Sequence, residues 1–346
     1  MEEKRIAIVG TGGIGGYFGA RMIAAGHDVT LIDAWPEHVA HVRRHGLTVE
    51  GMSGEDRLCV SAEIRDIGQV QQFVQEAPVD IACIAVKSYD TAWATQLILP
   101  YLGADGILVS LQNSFNEPTI AAIAGAERTF GCAIASLACD LVSPGLIRRM
   151  APKGNLGLGA MVSARASVAT ELVELFGCVE KGHALDDLAA AKWSKLVINS
   201  MRNGLSAMTG MTGRERDSNP TTIALGMRLG AQAVRVGRAL GLELVDTGYD
   251  FDTLVATESG DAAAIGAIRE RMAEIAAGRS TEQRPSMAQD VRKGRRTETD
   301  AINGLVARSG RELGIDTTPH QMVHERILRI ERGEIAPSPA LAEGIL

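Results

Sequence analysis

Several absences narrow the reading of this chain before any motif is considered. No stretch of its 346 residues reaches 18 uninterrupted apolar positions, the length a membrane-crossing helix needs. Met1-Glu2-Glu3-Lys4 leads straight into a strand-like run, with no apolar segment before a cleavage site, so a cytoplasmic protein is expected. Positive charge is not in excess. Lys and Arg number 35 against 42 Asp and Glu, a net charge of −7 that gives no general electrostatic attraction to nucleic acid or anionic membrane. The five cysteines, Cys59, Cys83, Cys132, Cys139 and Cys178, are odd in number and contain no C-x-x-C pair. Buried free thiols in a reducing compartment explain them better than disulfides or zinc. His38, His41 and His45 share one helical stretch and His320 and His324 another, without the carboxylates or cysteines of a metal pattern, so no metal is expected. A G-x-S-x-G elbow is missing, which leaves serine hydrolysis unsupported. Internal repeats and low-complexity tracts are missing too.

What is present is globular material. Hydrophobic residues make up 46% and charged ones 22%, enough apolar matter for a core, and the length suggests two domains. Residues Arg5 to Asp33 read as one device for holding a dinucleotide. The apolar run Arg5-Ile6-Ala7-Ile8-Val9 is followed by Gly10-Thr11-Gly12-Gly13-Ile14-Gly15, a helical stretch, and the second run Val29-Thr30-Leu31-Ile32-Asp33. A glycine pattern alone is weak, but strand before, helix after and an acid about 20 positions on supply the required context. Gly10 permits the tight turn, Gly12 lets backbone approach a pyrophosphate, and Gly15 lets helix and strand lie close. The helix N-terminus attracts the phosphates. Asp33 is placed to accept from a ribose 2′-hydroxyl and to repel a 2′-phosphate, which favours NAD(H) over NADP(H).

Apolar runs alternate with helical patterns through the first half. Pro36–His45 reads as a helix stopped by Gly46, and Leu47–Glu50 and Arg57–Ser61 as short strands joined by Gly51-Met52-Ser53-Gly54. Val79–Val86, Gly106–Leu111 and Thr129–Leu137 have the look of buried parallel strands, with helices over Thr91–Leu99 and Glu117–Ile123. This alternation predicts an α/β fold with a parallel, doubly wound sheet over residues 1–184. Residues 185–346 read as all-helical, with helices over Leu188–Met208, Pro220–Leu240, Ala262–Ala277, Met287–Leu313 and Pro319–Arg332. The tail beyond Gly333 is expected to lie over the surface or fray.

The helix Lys192-Trp193-Ser194-Lys195-Leu196-Val197-Ile198-Asn199-Ser200-Met201-Arg202-Asn203 carries the most chemistry. Lys195, Asn199 and Asn203 stand at i, i+4 and i+8 and so project from one face. Asparagine is a mediocre helix former, so its repeated use asks for a reason beyond propensity. A polar solvent-facing stripe is one reason. A cluster that binds a polar substrate and supplies a proton is the other. Hydride arriving at a ketone leaves negative charge on oxygen, so a donor must sit against it and deliver a proton. A partly desolvated lysine serves that role, because loss of solvation draws its pKa toward neutrality.

Ser286-Met287-Ala288-Gln289-Asp290 is a second loaded stretch, with Ser286 and Asp290 at i, i+4 and Ser286 placed where a helix cap is common. The following Arg292, Lys293, Arg295 and Arg296 read as a solvated face, and Glu298 as half of a surface ion pair on local grounds. Two turns follow strand C-termini, where open α/β sheets bind ligands. Lys87 is placed to touch the adenosine phosphate region, which leaves NADPH open. Asn113 is placed to face the nicotinamide ribose and substrate, although turn preference explains it nearly as well.

Taken together, these residues resemble the ketopantoate reductase (2-dehydropantoate 2-reductase) family. The resemblance spans Gly10–Gly15, Val86-Lys87, Leu111-Gln112-Asn113, Trp193–Asn199 with Asn203, Ser286–Asp290 and Arg296–Gly304. It implies a Rossmann domain followed by a helical domain like that of 6-phosphogluconate dehydrogenase relatives, and reduction of a 2-oxo acid by NAD(P)H, as in pantothenate biosynthesis. By transfer, Lys195 is the proton donor, Asn113, Asn199, Asn203 and Ser286 contact a small carboxylated substrate, and Glu298 lies by the cofactor ribose and the lysine. The pattern departs in three places. Ser114 stands where the family usually has Gly, Asp33 stands where many members carry a basic residue for a 2′-phosphate, and Tyr249–Gln283 is longer than usual and placed to reshape or lid the substrate cleft. Another ketone substrate, an opine or 3-hydroxy acid dehydrogenase, and a non-catalytic NADH sensor stay open. The long helices also suit a homodimer.

Overall fold

The structure, a computed structural model, describes residues 4–52, 56–151, 154–278, 281 and 283–346. Of the expected features, Met1–Glu3 and the turn residues Ser53 and Gly54 lie outside the described residues. So do Arg279, Ser280 and Glu282 of the Tyr249–Gln283 segment. The chain divides into two compact units, Met1–Leu188 and Ala189–Leu346.

In the first unit an eight-stranded sheet runs, in spatial order, Gly182–Ala184, Asn155–Ala160, Thr129–Ala135, Leu102–Ser110, Val79–Ile84, Arg5–Val9, Asp28–Asp33 and Glu63–Asp66. The last six are mutually parallel, as the apolar runs predict. Asn155–Ala160 turns antiparallel to Thr129–Ala135, a reversal not anticipated from sequence. Both faces of the sheet are covered. Ile6 and Ile8 enter one core with Tyr17, Phe18 and Leu31, while Ala7 and Val9 enter the other with Phe73, Ile98 and Leu108. Strands buried on both sides read as continuous apolar runs for this reason.

A second sheet joins, in order, the two short strands expected from sequence, Arg57–Val60 and Leu47–Glu50, to Leu146–Arg149 and Cys139–Ser143, which were not anticipated. Leu47–Glu50 pairs parallel with Leu146–Arg149, about a hundred residues away in sequence. The helix Gly13–Ala24 meets both sheets. A Cβ at Gly16 would strike Ile147 of the small sheet, and one at Gly19 would strike Leu31 of the large one. Close packing on two sides accounts for glycines beyond those a dinucleotide turn needs. The thiols of Cys83 and Cys132 are buried, Cys139 and Cys178 are half-buried, and Cys59 is exposed, because its short strand offers that side to solvent; the expectation of five buried thiols is corrected at the last three.

The second unit is helical. The long helix Leu188–Thr209 packs beside Pro220–Ala239, whose Gly230 and Gly237 receive Met201 and Trp193. Trp193 Nε1 donates to Ala233 O at 2.9 Å. Asn219 caps Pro220–Ala239 through N–H bonds from Thr221 and Thr222. The single helix expected over Met287–Leu313 is instead Ser286–Arg292, a 3₁₀ turn Thr299–Ala301, and Asn303–Glu312. Gly294, at φ +62°, takes the left-handed conformation that ends the first of these, with Arg295 N donating back to Asp290 O at 2.9 Å. The segment after Tyr249 forms Phe251–Ala256 and Ala262–Ala277. Its Ile268, Met272 and Ala276 are buried, so it adds to the helical packing of this unit. Among the described residues no helix is long and apolar enough to cross a membrane, and no group of three or more His, Cys, Asp or Glu is arranged to hold a metal.

Candidate active site

The glycine loop of the first unit is built around one carboxylate. Gly10 turns the chain at φ +95° and donates to Ile32 O at 2.8 Å; a side chain there would collide with the backbone of Ala85 and Val86. Thr11 N donates to Asp33 Oδ2 at 2.7 Å, and its hydroxyl to Ile32 O at 3.2 Å. Trp35 N donates to Asp33 Oδ1 at 2.9 Å. Each carboxylate oxygen thus takes one backbone donor, and of its roughly four lone-pair sites about two remain for other donors. Gly12 begins the helix with no side-chain cap, and a Cβ there would meet nothing within 4 Å. Open space before uncapped first-turn N–H groups suits an anion. Gly13, Ile14 and Gly15 complete the turn. Gly13 lies against Cys139 O, and a Cβ at Gly15 would come within 2.0 Å of Gly10 O. The loop fits a dinucleotide: room at Gly12 for a pyrophosphate, an acceptor at Asp33 for a ribose hydroxyl.

Two further loops meet at the carboxyl ends of the adjoining strands. Gln112 Nε2 donates to Val86 O at 2.9 Å and to Thr91 Oγ1 at 2.8 Å. Asn116 Nδ2 donates to Asn113 O at 2.7 Å and to Ser88 Oγ at 3.1 Å. These bonds tie the two loops to each other, and Lys87 on one and Asn113 on the other are both half-buried. Ser114 is buried and sits at φ +65°, in the left-handed region that favours glycine. Ser114→Val should therefore lower stability by about 2 kcal/mol, while Ser114→Gly leaves the urea midpoint equal or higher. A Val variant as stable as the parent would show that this backbone is not constrained.

In the second unit Lys195 and Asn199 are half-buried along a helix whose Ser194, Leu196, Val197 and Ser200 are fully buried, and Asn203 is buried one turn on. The stripe therefore borders the packed interior rather than lying wholly in solvent. Glu298 is buried, not the surface ion-pair residue its neighbours suggest, because its segment folds back onto the long helix. Glu298 O accepts from Ala301 and Ile302, and the next residue, Asn303, donates through Nδ2 to Ser200 O at 3.1 Å. Ser286 opens the helix Ser286–Arg292 as its first residue. Pro285 occupies the capping position, so the expected serine cap is not made. Asp290 on that helix is buried, and Arg292, Lys293, Arg295 and Arg296 are exposed.

Asn303 also meets His320 Nδ1 at 3.1 Å, and His320 Nε2 reaches Leu229 O at 2.8 Å. The carbonyl requires Nε2–H, so Nδ1 is the acceptor and the ring is neutral. Burial pushes this imidazole down to about 4. Between the unfolded value near 6.5 and about 4 the unfolded chain binds a proton that the folded one refuses. Stability is thus full above pH 6.5 and falls with pH by about 3 kcal/mol on reaching pH 4. Unfolding midpoints from pH 7 to 4.5 check this against His320→Gln, which should show a shallower loss.

Sequence reasoning missed the clamp around the glycine loop. His38 Nδ1 accepts from Gly145 N at 2.9 Å, and Arg149 bonds both Tyr17 Oη, at 2.8 Å, and Glu180. These contacts hold the hairpin that carries Cys139 against Gly13; Ser143-Pro144-Gly145 was its one legible turn signal. It also missed Arg202, which helical spacing places on the Lys195 stripe.

The chain matches the family described as ketopantoate reductase PanE/ApbA over residues 6–163, and the C-terminal part of the same family over residues 187–331. It belongs to the ketopantoate reductase family. Members are NAD(P)-dependent oxidoreductases, and this chain is an enzyme of that class. The 2-dehydropantoate 2-reductase of Archaeoglobus fulgidus is 26% identical over 341 residues, covering 96% of this chain and 100% of that one. A PanE/ApbA family ketopantoate reductase from Ralstonia eutropha JMP134 superposes with a TM-score of 0.78 at 26% identity, over 95% of this chain and 99% of the other. A D-mandelate dehydrogenase, in a ternary structure with NADH and anilino(oxo)acetate, shares the fold at a TM-score of 0.81 and 22% identity, over 95% and 99% of the two chains.

Proposed function

We infer that this ketopantoate reductase family member reduces a small 2-oxo acid to the 2-hydroxy acid and prefers NADH. The observation that carries the reaction is the Lys195–Asn199–Asn203 stripe, half-buried at its first two residues and buried at the third, with the segment of buried Glu298 fastened to the same helix through Asn303. When bound, a reduced nicotinamide supplies hydride to the keto carbon. The Lys195 ammonium gives a proton to the keto oxygen as negative charge develops there, and the resulting amine is reprotonated from solvent. Asn113, Asn199, Asn203 and Ser286 orient the substrate's oxygens by hydrogen bonds that add no charge. Glu298 accepts from Lys195 and from a ribose hydroxyl, which orients the ammonium toward the keto oxygen. The cofactor preference rests on Asp33, with Gly10, Thr11, Gly12, Gly13, Ile14 and Gly15 forming the phosphate loop and Lys87 lying farther along the same edge.

A panel of 2-oxo acids, ketopantoate among them, assayed with NADH and NADPH tests the reading. Oxidation of NADH dependent on at least one 2-oxo acid is expected. Tight NADH binding without turnover of any of them would sink it.

A further inference from the structure

A second positive charge lies on the Lys195 stripe. Arg202 follows Lys195 by two turns and is offset from it by only about 20° around the axis, whereas Asn203 is offset by about 80°. Arg202 Nη2 donates to the Tyr249 hydroxyl at 2.5 Å, and its guanidinium carbon lies 5.3 Å from the centre of that ring. Tyr249 is buried, and it ends a loop that follows the helix. Val245 N donates to Ser194 Oγ at 2.9 Å, and the Thr247 hydroxyl to Ser194 O at 3.3 Å.

Arg202 is half-buried, its Nε is buried without a hydrogen-bond partner, and among the described residues it meets no carboxylate. Asp217 is close enough for Tyr249 to sense, but it is joined to Arg216 through Nε and Nη2, both at 2.7 Å. Arg202, Arg216 and Asp217 leave one net positive charge. A partly desolvated cation against a neutral phenol loses hydration that no anion among the described residues returns. The tyrosine holds the planar fork in one orientation, which is the preparation bidentate carboxylate recognition needs.

We propose that Arg202 binds a second, distal carboxylate of the substrate, so that the preferred substrates are 2-oxo dicarboxylic acids. The assignment rests on the reading of Lys195 as the proton donor. The carboxylate next to a keto group is one bond away and must sit with it near Lys195. Two helical turns span about 10 Å along the axis, so Arg202 reaches a group several bonds farther on.

Matched pairs of substrates test this in the full-length protein: 2-oxoglutarate against 2-oxopentanoate, and 2-oxoadipate against 2-oxohexanoate, with NADH. The diacid should exceed its monoacid in kcat/KM by roughly tenfold or more, and Arg202→Leu should bring that ratio close to one. Arg202→Lys keeps the charge but not the fork and should retain part of the preference, which covers the case of a Leu variant that folds poorly. Tyr249→Phe keeps the ring under the guanidinium but loses the hydroxyl that orients the fork, so it should lower the ratio part of the way. A residue that merely tethers the loop would lower both acids together and leave the ratio unchanged, which overturns the proposal. So does a parent enzyme that favours monoacids, and in that case Lys195-dependent turnover still stands. Failure to reduce any 2-oxo acid overturns both readings.

Discussion

Lys195→Ala should lower kcat for 2-oxo acid reduction by about 10²- to 10⁴-fold, the usual contribution of a positioned proton donor. NADH affinity should change little, because the glycine loop and Asp33 belong to the other unit. The reduction leaves charge on the former keto oxygen, and no other cation on the Lys195–Asn199–Asn203 stripe is assigned to receive it. Removing the ammonium leaves the developing alkoxide to water and amides. Lys195→Arg is the informative partner variant. It keeps a positive charge but holds its proton far more firmly, so it should restore substrate binding and little of the rate. Single-turnover kinetics with saturating NADH separate the two effects. Near-parent turnover by the Ala variant would remove Lys195 from the mechanism.

Asp33→Asn should shrink the preference for NADH over NADPH by roughly 10- to 100-fold in the ratio of kcat/KM values. A hydrogen bond between a charged group and a ribose hydroxyl is worth about 1.5–3 kcal/mol, and its loss weakens NADH alone. Losing the carboxylate also removes repulsion of a 2′-phosphate. The structure adds a cost that the sequence did not reveal. Both carboxylate oxygens accept from the backbone, Oδ2 from Thr11 and Oδ1 from Trp35. An amide offers one acceptor, so one of those N–H groups would face an NH₂. A lowered melting temperature should therefore accompany the altered cofactor choice. A parent enzyme that prefers NADPH would refute the role given to Asp33, whatever the variant does.

The two readings of Glu298 show where local sequence misleads. Among Arg295, Arg296 and Asp300 it looks like a surface charge, and Arg296 does pair with Asp300 at 3.3 Å. Its burial follows from Asn303, which binds Ser200 at a separation of 103 residues. No window of sequence contains both ends of that bond. Ser114 is similar. Its neighbours show a turn, but the positive φ comes from loops pinned by Gln112 and Asn116.

By itself the sequence determined the parts whose physics is local. A strand, a glycine turn and a helix N-terminus lie within thirty residues, and the i, i+4, i+8 stripe is a property of one helix. Periodicity also determined the parallel core strands and most of the later helices. Only tertiary structure decided the small sheet, the reversed strand Asn155–Ala160, the clamp of His38 and Arg149 on the glycine loop, and the burial of Glu298. Each depends on contacts between segments far apart in the chain, whose formation is governed by packing and long-range pairing rather than by residue preference. Arg202 lies between the two cases. Its place on the Lys195 stripe is legible from helical geometry, but only the tertiary structure shows that Asp217 is bound to Arg216 and that Arg202 meets no carboxylate among the described residues.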